Sequence, residues 1–390
     1  MAATASAASL LITKPSTVFA TEANSKVKVG CVGLGGRGSW IARHVASHSG
    51  YEVAAVADYF PDVAMKVGAE LNVPQNHRYS GLDGYKRLLD SGVEAVFLET
   101  PPCFFPEHVE AASEAGCHIY MAKPVAIDVP GTLKIQQLGG QAQGRKKVFL
   151  VDFQTRTDEF FIEGIKKVHE GWLGKVGLID AVYSDDGFPD PPLGETIAGR
   201  LANLIWVNDN AIGGGKLLNA GVHAIDVALW MAQENPTDAL GASSLARADA
   251  HGDSHDIYSV TYNFRNGIIL NYQGEFLPNQ HHQISCHAYG SEGYIEAYYA
   301  GKVGIRGNKR GWRGGENTDL YASGMKANVE TFYKSIVNGV YENPTVEPSV
   351  NANLACILGQ MAAQKKTQIT WDEILKTGPE IKPNLTGLKI

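Results

Sequence analysis

Val27-Lys28-Val29-Gly30-Cys31-Val32, followed at once by Gly33-Leu34-Gly35-Gly36-Arg37-Gly38, decides the fold of this chain. A short apolar run that stops at a glycine reads as a buried parallel strand. The six residues after it match G-x-G-x-x-G and open a helical stretch over about 39–47. A second apolar run, Glu52 to Ala57, is closed by Asp58, about 20 residues beyond Gly38, where a dinucleotide fold places an acid. Gly33 supplies the tight turn, Gly35 lets backbone approach a pyrophosphate, and Gly38 lets helix and strand pack closely. The helix start then offers free N–H groups and a positive dipole end to phosphate. Gly33, Leu34, Gly35, Gly36, Arg37, Gly38 and Asp58 are thus the expected dinucleotide contacts. A carboxylate at 58 accepts from ribose hydroxyls and repels a 2′-phosphate, and Tyr59-Phe60-Pro61 brings no arginine, so NAD is favoured over NADP. Arg37 is the complication, being able to turn toward a phosphate.

Outward from this core, apolar strands at 95–98, 118–121 and 148–151 alternate with helices at 62–71, 85–89 and 108–115. That alternation predicts βαβ units and a doubly wound parallel sheet, a Rossmann domain over 26–151. After Asp152 the pattern changes. A helix at 159–170 leads into a strand at 176–184, and strands follow at 258–264, 268–275, 284–289 and 294–298. Asn266-Gly267 signals a hairpin, and Gly290 to Gly293 another tight turn. Helices at 324–338 and 350–363 close the chain. Residues 152–390 therefore read as an α+β domain with a large, mostly antiparallel open sheet. The fold class is α/β, a Rossmann domain followed by this α+β domain. Met1–Ser25, rich in Ala, Ser and Thr with an apolar patch at 7–12, reads as a leader or the remnant of an export signal lacking its basic region.

The composition excludes several classes. With 390 residues, 44% of them hydrophobic and 19% charged, the chain builds a sizeable core and is no polyelectrolyte. Its net charge of −7 and its longest basic run, Arg145-Lys146-Lys147, argue against nucleic acid. No apolar run is long enough to span a bilayer. Five widely spaced cysteines without a CxxC suggest neither a disulfide framework nor a zinc cluster. His251 to Asp256 and His281-His282 read as solvated loops, so no metal is expected.

A second constellation lies at 213–226, Gly-Gly-Gly-Lys-Leu-Leu-Asn-Ala-Gly-Val-His-Ala-Ile-Asp. From Leu217 to Met231 nearly every residue is apolar, so this helix should be buried. Its polar exceptions, Asn219, His223 and Asp226, fall on one stripe, whose burial costs energy unless it is paired or used. Just before it, Trp206 and Asn208 combine an aromatic face with an amide, which suits a sugar.

Ala122-Lys123-Pro124 after the fourth strand, with the fingerprint, Thr100-Pro101 and His108, resembles the Gfo/Idh/MocA oxidoreductases, the family of glucose–fructose oxidoreductase and inositol dehydrogenase. The resemblance runs from about Lys26 to the C-terminus. The family motif is Glu-Lys-Pro, and Ala122 replaces its Glu here. Its second motif, Asp-x-x-x-His, has Asn219 in place of Asp. The run AKPVAIDVPG, Phe153-Gln154-Thr155-Arg156 and the tail resemble an exported subgroup that often carries twin-arginine signals. The resemblance implies that Thr100, Pro101, His108, Lys123, Pro124 and Gln154 meet the cofactor. It implies that Lys123, Arg156, Trp206, Asn208, Asn219 and His223 meet a sugar or polyol. It further implies a homodimer or homotetramer built through the C-terminal sheet; the leader remnant points to a periplasmic or otherwise exported setting, with a cytoplasmic one as the alternative.

Together these readings predict an NAD-dependent oxidation of a secondary hydroxyl on a sugar, glycoside or cyclitol, with a glucoside 3-dehydrogenase as the specific form drawn from the subgroup. His223 is the expected general base, Lys123 the group that polarises the oxygen, and Asn219 a positioning residue. The roles of Lys123 and His223 are exchangeable, because a buried lysine has a lowered pKa. Two rivals stay open: an NAD-dependent glycosidase using transient oxidation, and a non-catalytic NAD-binding homologue.

Overall fold

The computed structural model describes residues 26–193 and 196–388. The leader Met1–Ser25, read above as an export-signal remnant, lies outside the described residues. The first sheet contains β1 (Val27–Val32), β2 (Tyr51–Asp58), β3 (Arg78–Ser80), β4 (Ala95–Leu98), β5 (His118–Ala122) and β6 (Phe149–Asp152), all parallel, in the order β3-β2-β1-β4-β5-β6. The connecting helices are α1 (Gly36–Ser47), α2 (Pro61–Glu70), α3 (Gly84–Leu89), α4 (Phe105–Glu114) and α5 (Val129–Gly144). The strand order reverses between β1 and β4, which opens a crevice at their carboxyl ends. The helix read at 85–89 is α3, while β3 and α5 escape the sequence reading. β3 has only three residues, and the mixed polarity of α5 hides its period.

One face of this sheet is closed by the far end of the chain. Val29, Val56, Phe97, Tyr120 and Leu150 pack with Ile41 and Val45 of α1 and with Met325, Val329 and Phe332. These last three belong to α8 (Leu320–Asn338); the helix between, α7, is Val222–Ala232. Full burial of Phe332 stabilises the fold by roughly 1.5–3 kcal/mol. The chain after Asp152 is therefore not confined to the second sheet.

The second half opens with α6 (Glu159–His169), capped by Asp158, whose carboxylate accepts from the amides of Phe160 and Phe161. The second sheet has nine strands, β7 (Val176–Ser184), β8 (Asp238–Ser244), β9 (Ile257–Asn263), β10 (Ile269–Glu275), β11 (Gln283–Gly290), β12 (Gly293–Tyr298), β13 (Gly301–Gly307), β14 (Trp312–Asn317) and β15 (Ile369–Thr370). Only β7 and β10 pair in parallel; the other neighbours are antiparallel. The hairpin expected at Asn266-Gly267 joins β9 to β10, with Gly267 at φ 86°. The turn at 290–293 joins β11 to β12. β8, β13 and β14 go unread because their small and glycine-rich sequences carry little alternation.

Helices α6, α7 and α9 (Val346–Lys365) cover one face of this sheet, and α9 also packs on α5 of the first domain. Asn353 of α9 is fully buried. It accepts from the Val125 amide at 3.1 Å and donates to the Ala126 carbonyl at 3.2 Å and to Thr132 Oγ1 at 2.7 Å. It thereby fixes the loop that follows Lys123-Pro124. No described helix is long and apolar enough to cross a membrane.

Candidate active site

The glycine-rich turn leaves β1 with Gly33 at φ 83°, where a Cβ would come within 2.7 Å of the Glu99 carbonyl carbon. A Cβ on Gly38 would stand 1.9 Å from the Gly33 oxygen, so α1 can pack here only without a side chain. By contrast, a Cβ on Gly35 or Gly36 meets nothing within 4 Å. The open side of the turn is thus where a ligand approaches. α1 has no side-chain cap and no acid in its first turn, which leaves its amides and dipole available to an anion. Asp58 accepts from the Leu34 amide at 2.7 Å and the Phe60 amide at 2.9 Å. It shapes the turn as well as facing the expected ribose. Burial pushes its carboxyl upward while these two bonds oppose the shift. The open turn, the uncapped helix start and the acid at the end of β2 fit a dinucleotide.

Arg37 does not turn toward a phosphate. Its guanidinium pairs with Asp152 at the end of β6 and lies 3.3 Å from Glu99, the residue after β4. The Tyr321 ring covers it at 5.0 Å, and that ring stacks on Trp40. Both described ionic partners of Arg37 are carboxylates. His108 is also placed differently from expectation. It is buried between Tyr85 and Phe104, and its Nδ1 reaches Thr100 Oγ1 at 3.3 Å. Burial pushes it down to about 3, so it is a neutral ring in contact with Thr100. Gln154 is likewise spent. Its amide donates to Asp152 at 3.0 Å and accepts from the Tyr299 hydroxyl at 2.9 Å.

Lys123 and His223 come together from the two halves of the chain. Lys123 Nζ donates to the Asn219 carbonyl at 2.6 Å. Burial first, and Arg37 second, push it down to about 7, while Asp152 and Glu99 hold it up. His223 is buried among Phe153, Tyr183 and Tyr299, and its Nδ1 has no partner among the described residues. Burial, Lys123 and Arg37 drive it well below the usual histidine range, so the ring is neutral. A buried imidazole nitrogen without a partner costs energy that a purely structural network would have avoided.

The helix stripe is not one network. Leu217–Gly221 forms a π-helical turn before α7, which widens the winding and offsets Asn219 from the residues that follow. No hydrogen bond joins Asn219, His223 and Asp226 among the described residues. Asp226 pairs instead with Arg156, in bonds of 2.8, 3.0 and 3.1 Å. Arg156 also lies 4.9 Å from the Trp230 ring. Expected to touch nicotinamide or substrate, Arg156 is an anchor of α7, because the fully buried Asp226 requires a cation.

Asn208 and Trp206 have structural partners of their own. Asn208 is fully buried and donates to the Phe188 and Pro189 carbonyls at 2.6 and 3.1 Å, pinning that loop. Trp206 packs with Leu201 and Ile212 against Tyr59, Phe60, Cys103 and Phe104. These four follow Asp58 and Pro101, so this cluster gathers beside the loops after β2 and β4. Among the described residues no group of three or more His, Cys, Asp and Glu side chains is placed to hold a metal.

Sequence reasoning missed Glu99, Asp152, Tyr299 and Asn353. A signal existed for the two acids. Each ends or follows an apolar strand, as Asp58 does, and only Asp58 had a motif to name it.

Comparison with known proteins agrees with this geometry. Residues 27–153 match the model of an oxidoreductase family with an NAD-binding Rossmann fold, and residues 165–296 match the Gfo/Idh/MocA C-terminal domain, together more than half of the chain. A 1-carboxy-3-chloro-3,4-dihydroxycyclohexa-1,5-diene dehydrogenase of Comamonas testosteroni is 27% identical over 46% of this chain and 41% of its own length. An inositol 2-dehydrogenase of Rhizobium meliloti is 24% identical over 60% of this chain and 64% of its own. The chain thus spans less than two thirds of both these relatives. The structure of scyllo-inositol dehydrogenase from Lactobacillus casei with bound NAD(H) and scyllo-inositol superposes with a TM-score of 0.71 at 20% identity, covering 89% of this chain and 100% of that one. The chain belongs to the Gfo/Idh/MocA oxidoreductases, with an NAD-binding Rossmann domain and the family's C-terminal domain.

Proposed function

We propose that this protein oxidises a secondary hydroxyl of a cyclitol or sugar, reversibly, with NAD as the acceptor. The observation that carries the reading is the buried approach of Lys123 to the helix of His223, with His223 Nδ1 unpartnered among the described residues and burial first, then Lys123, lowering the hold of His223 on a proton. NAD, when bound, supplies the hydride acceptor. His223, neutral in the free protein, takes the hydroxyl proton. Lys123 donates to the oxygen as negative charge develops there. Asn353 fixes the loop carrying Lys123, and the Arg156–Asp226 pair fixes the helix carrying His223. Because Lys123 is pushed down to about 7, close to the working pH of a general base, the exchanged assignment is the second reading. Relatives named inositol 2-dehydrogenase support a cyclitol. Oxidation of a glucoside at C3 is the finer form suggested by the subgroup. The uncovered face of the second sheet, which exposes Leu240, Ile269 and Tyr289, is where a second copy would pack.

The test is to supply NAD⁺ and a panel of cyclitols, aldoses and glucosides, and to follow reduced nicotinamide and a ketone product. Their appearance supports the reading. A released aglycone with no net reduced nicotinamide would establish the glycosidase instead, and NAD binding without turnover of any polyol the non-catalytic homologue.

A further inference from the structure

In the first sheet β2 and β4 lie on either side of β1, and a dinucleotide crosses the carboxyl end of β1 between the loops that leave them. Those two loops are joined by side chains from elsewhere in the chain. Leu201 and Ile212 are buried, and Tyr59 and Phe60 of the first loop and Cys103 and Phe104 of the second pack against them. Trp206 and, from the far end of the chain, Leu385 and Leu388 complete the cluster. Tyr59 and Phe60 directly follow Asp58, so the cluster bridges the crevice at the end expected to take the adenosine.

Both outside contributors are anchored. In the segment 200–213, Asp209 pairs with Arg200 and accepts from the Ala211 amide at 3.0 Å. The short helix Asn210–Gly213 packs on Pro102–Phe104. The segment then reaches the π-helical turn through Gly214 and Gly215, at φ 77° and 89°, where glycine is the residue that fits. Just beyond them, the fully buried Lys216 pairs with the fully buried Asp256. Arg247 lies 2.7 Å from Asp256 and 2.7 Å from Asp190. The proposed chemistry uses none of these four charges; they root the segment in the second half of the chain. The tail is tied to the first domain instead, by the Ile381 amide donating at 2.7 Å to Asp128, the residue that caps α5.

The segment also carries costs that favour letting go. Asn203 and Leu204 hold φ of 48° and 64°, a region that side chains disfavour. The side-chain oxygens of Asn208 and Asn210 are buried with no partner among the described residues. Opening would relax the first and give the second to water.

We propose that residues 200–213, together with Leu385 and Leu388, form a strap across the adenosine end of the NAD site, and that NAD enters and leaves only when the strap opens. The proposal takes the glycine turn and Asp58 as the seat of NAD and is independent of the polyol reading. Such a strap makes NAD a slowly exchanging group.

The experiment measures exchange, not turnover. NADH is mixed with nucleotide-free protein and its binding followed by fluorescence in stopped flow; bound NADH is then chased with excess NAD⁺. Leu201→Ala weakens the closed strap without touching Asp58 or the glycine turn. It should speed both association and release about 10-fold, the effect of one buried leucine on the opening equilibrium, and leave their ratio, the Kd, unmoved. Leu385→Ala with Leu388→Ala should act in the same direction from the other arm. These two leucines are only partly buried, so the tail variant tests the proposal even where Leu201→Ala does not fold. Unchanged rates in a folded variant, checked by thermal unfolding, would overturn the strap and leave the cluster as packing between the two halves. Faster release with unchanged association would overturn it too, because the leucines would then hold the cofactor by contact and not govern its access.

Discussion

Arg156→Met separates two accounts of this site. In the structure Asp226 is fully buried, and Arg156 supplies three hydrogen bonds of 2.8–3.1 Å to its carboxylate. Methionine fills similar volume but leaves the carboxylate without a cation, and breaking a buried pair from one side costs about 3–5 kcal/mol. The loss should depend on pH. Burial pushes the Asp226 carboxyl upward, and Arg156 opposes this through charge and hydrogen bonds. Without Arg156 the folded-state pKa rises further above the unfolded value. A raised carboxyl binds a proton in the folded state that the unfolded state lacks, so its stability contribution is present at low pH and is lost as pH rises through the folded pKa. The variant should therefore be closest to the unmodified protein in mild acid and fall behind toward neutrality. Urea unfolding across pH measures this, and Asp226→Asn in the same background should recover part of the loss. Unchanged stability at every pH, with a raised KM for polyol, would refute the anchor and return Arg156 to the substrate.

Lys123→Met and His223→Ala should each fold and each lower turnover about 100-fold or more, as expected for a positioned group at the reacting oxygen; near-normal rates in a steady-state assay would remove that residue from the mechanism. Asp58→Asn keeps the shape beside the Leu34 and Phe60 amides but removes the charge, so the preference for NAD over NADP should narrow, as read by the ratio of dissociation constants. Asn219→Asp places a carboxylate near a histidine that Lys123 and Arg37 hold down. The imidazole pKa should rise and the low-pH limb of oxidation move to higher pH; an unmoved limb means that the π-helical turn separates the two side chains.

Local patterns made the first domain legible. An apolar run, a glycine turn and an acid at fixed spacing each carry their own meaning within a few residues. The Lys123 and His223 positions were legible for a related reason, since each sits in a short motif. The partners were not. Arg156 finds Asp226 from 70 residues away, and Asn353 reaches Val125 across 228. Nothing near Arg156 in the chain indicates a buried carboxylate, so substrate was as good a guess as any. Glu99 passed as a residue before Thr100-Pro101, because its meaning comes from Arg37 on a helix after another strand. The stripe of Asn219, His223 and Asp226 was drawn with ordinary helical winding, and the π-helical turn at 217–221 changes that winding without a sign in composition.

The most direct test of the account uses cyclitols and sugars carrying deuterium at the ring carbons. The protein is incubated with NAD⁺, and the nicotinamide is analysed by mass spectrometry alongside the ring product. The account predicts reduced nicotinamide that is heavier by one deuterium, an equal amount of ring ketone, and loss of both in Lys123→Met and His223→Ala. Bound NAD⁺ that acquires no deuterium from any cyclitol or sugar would contradict it.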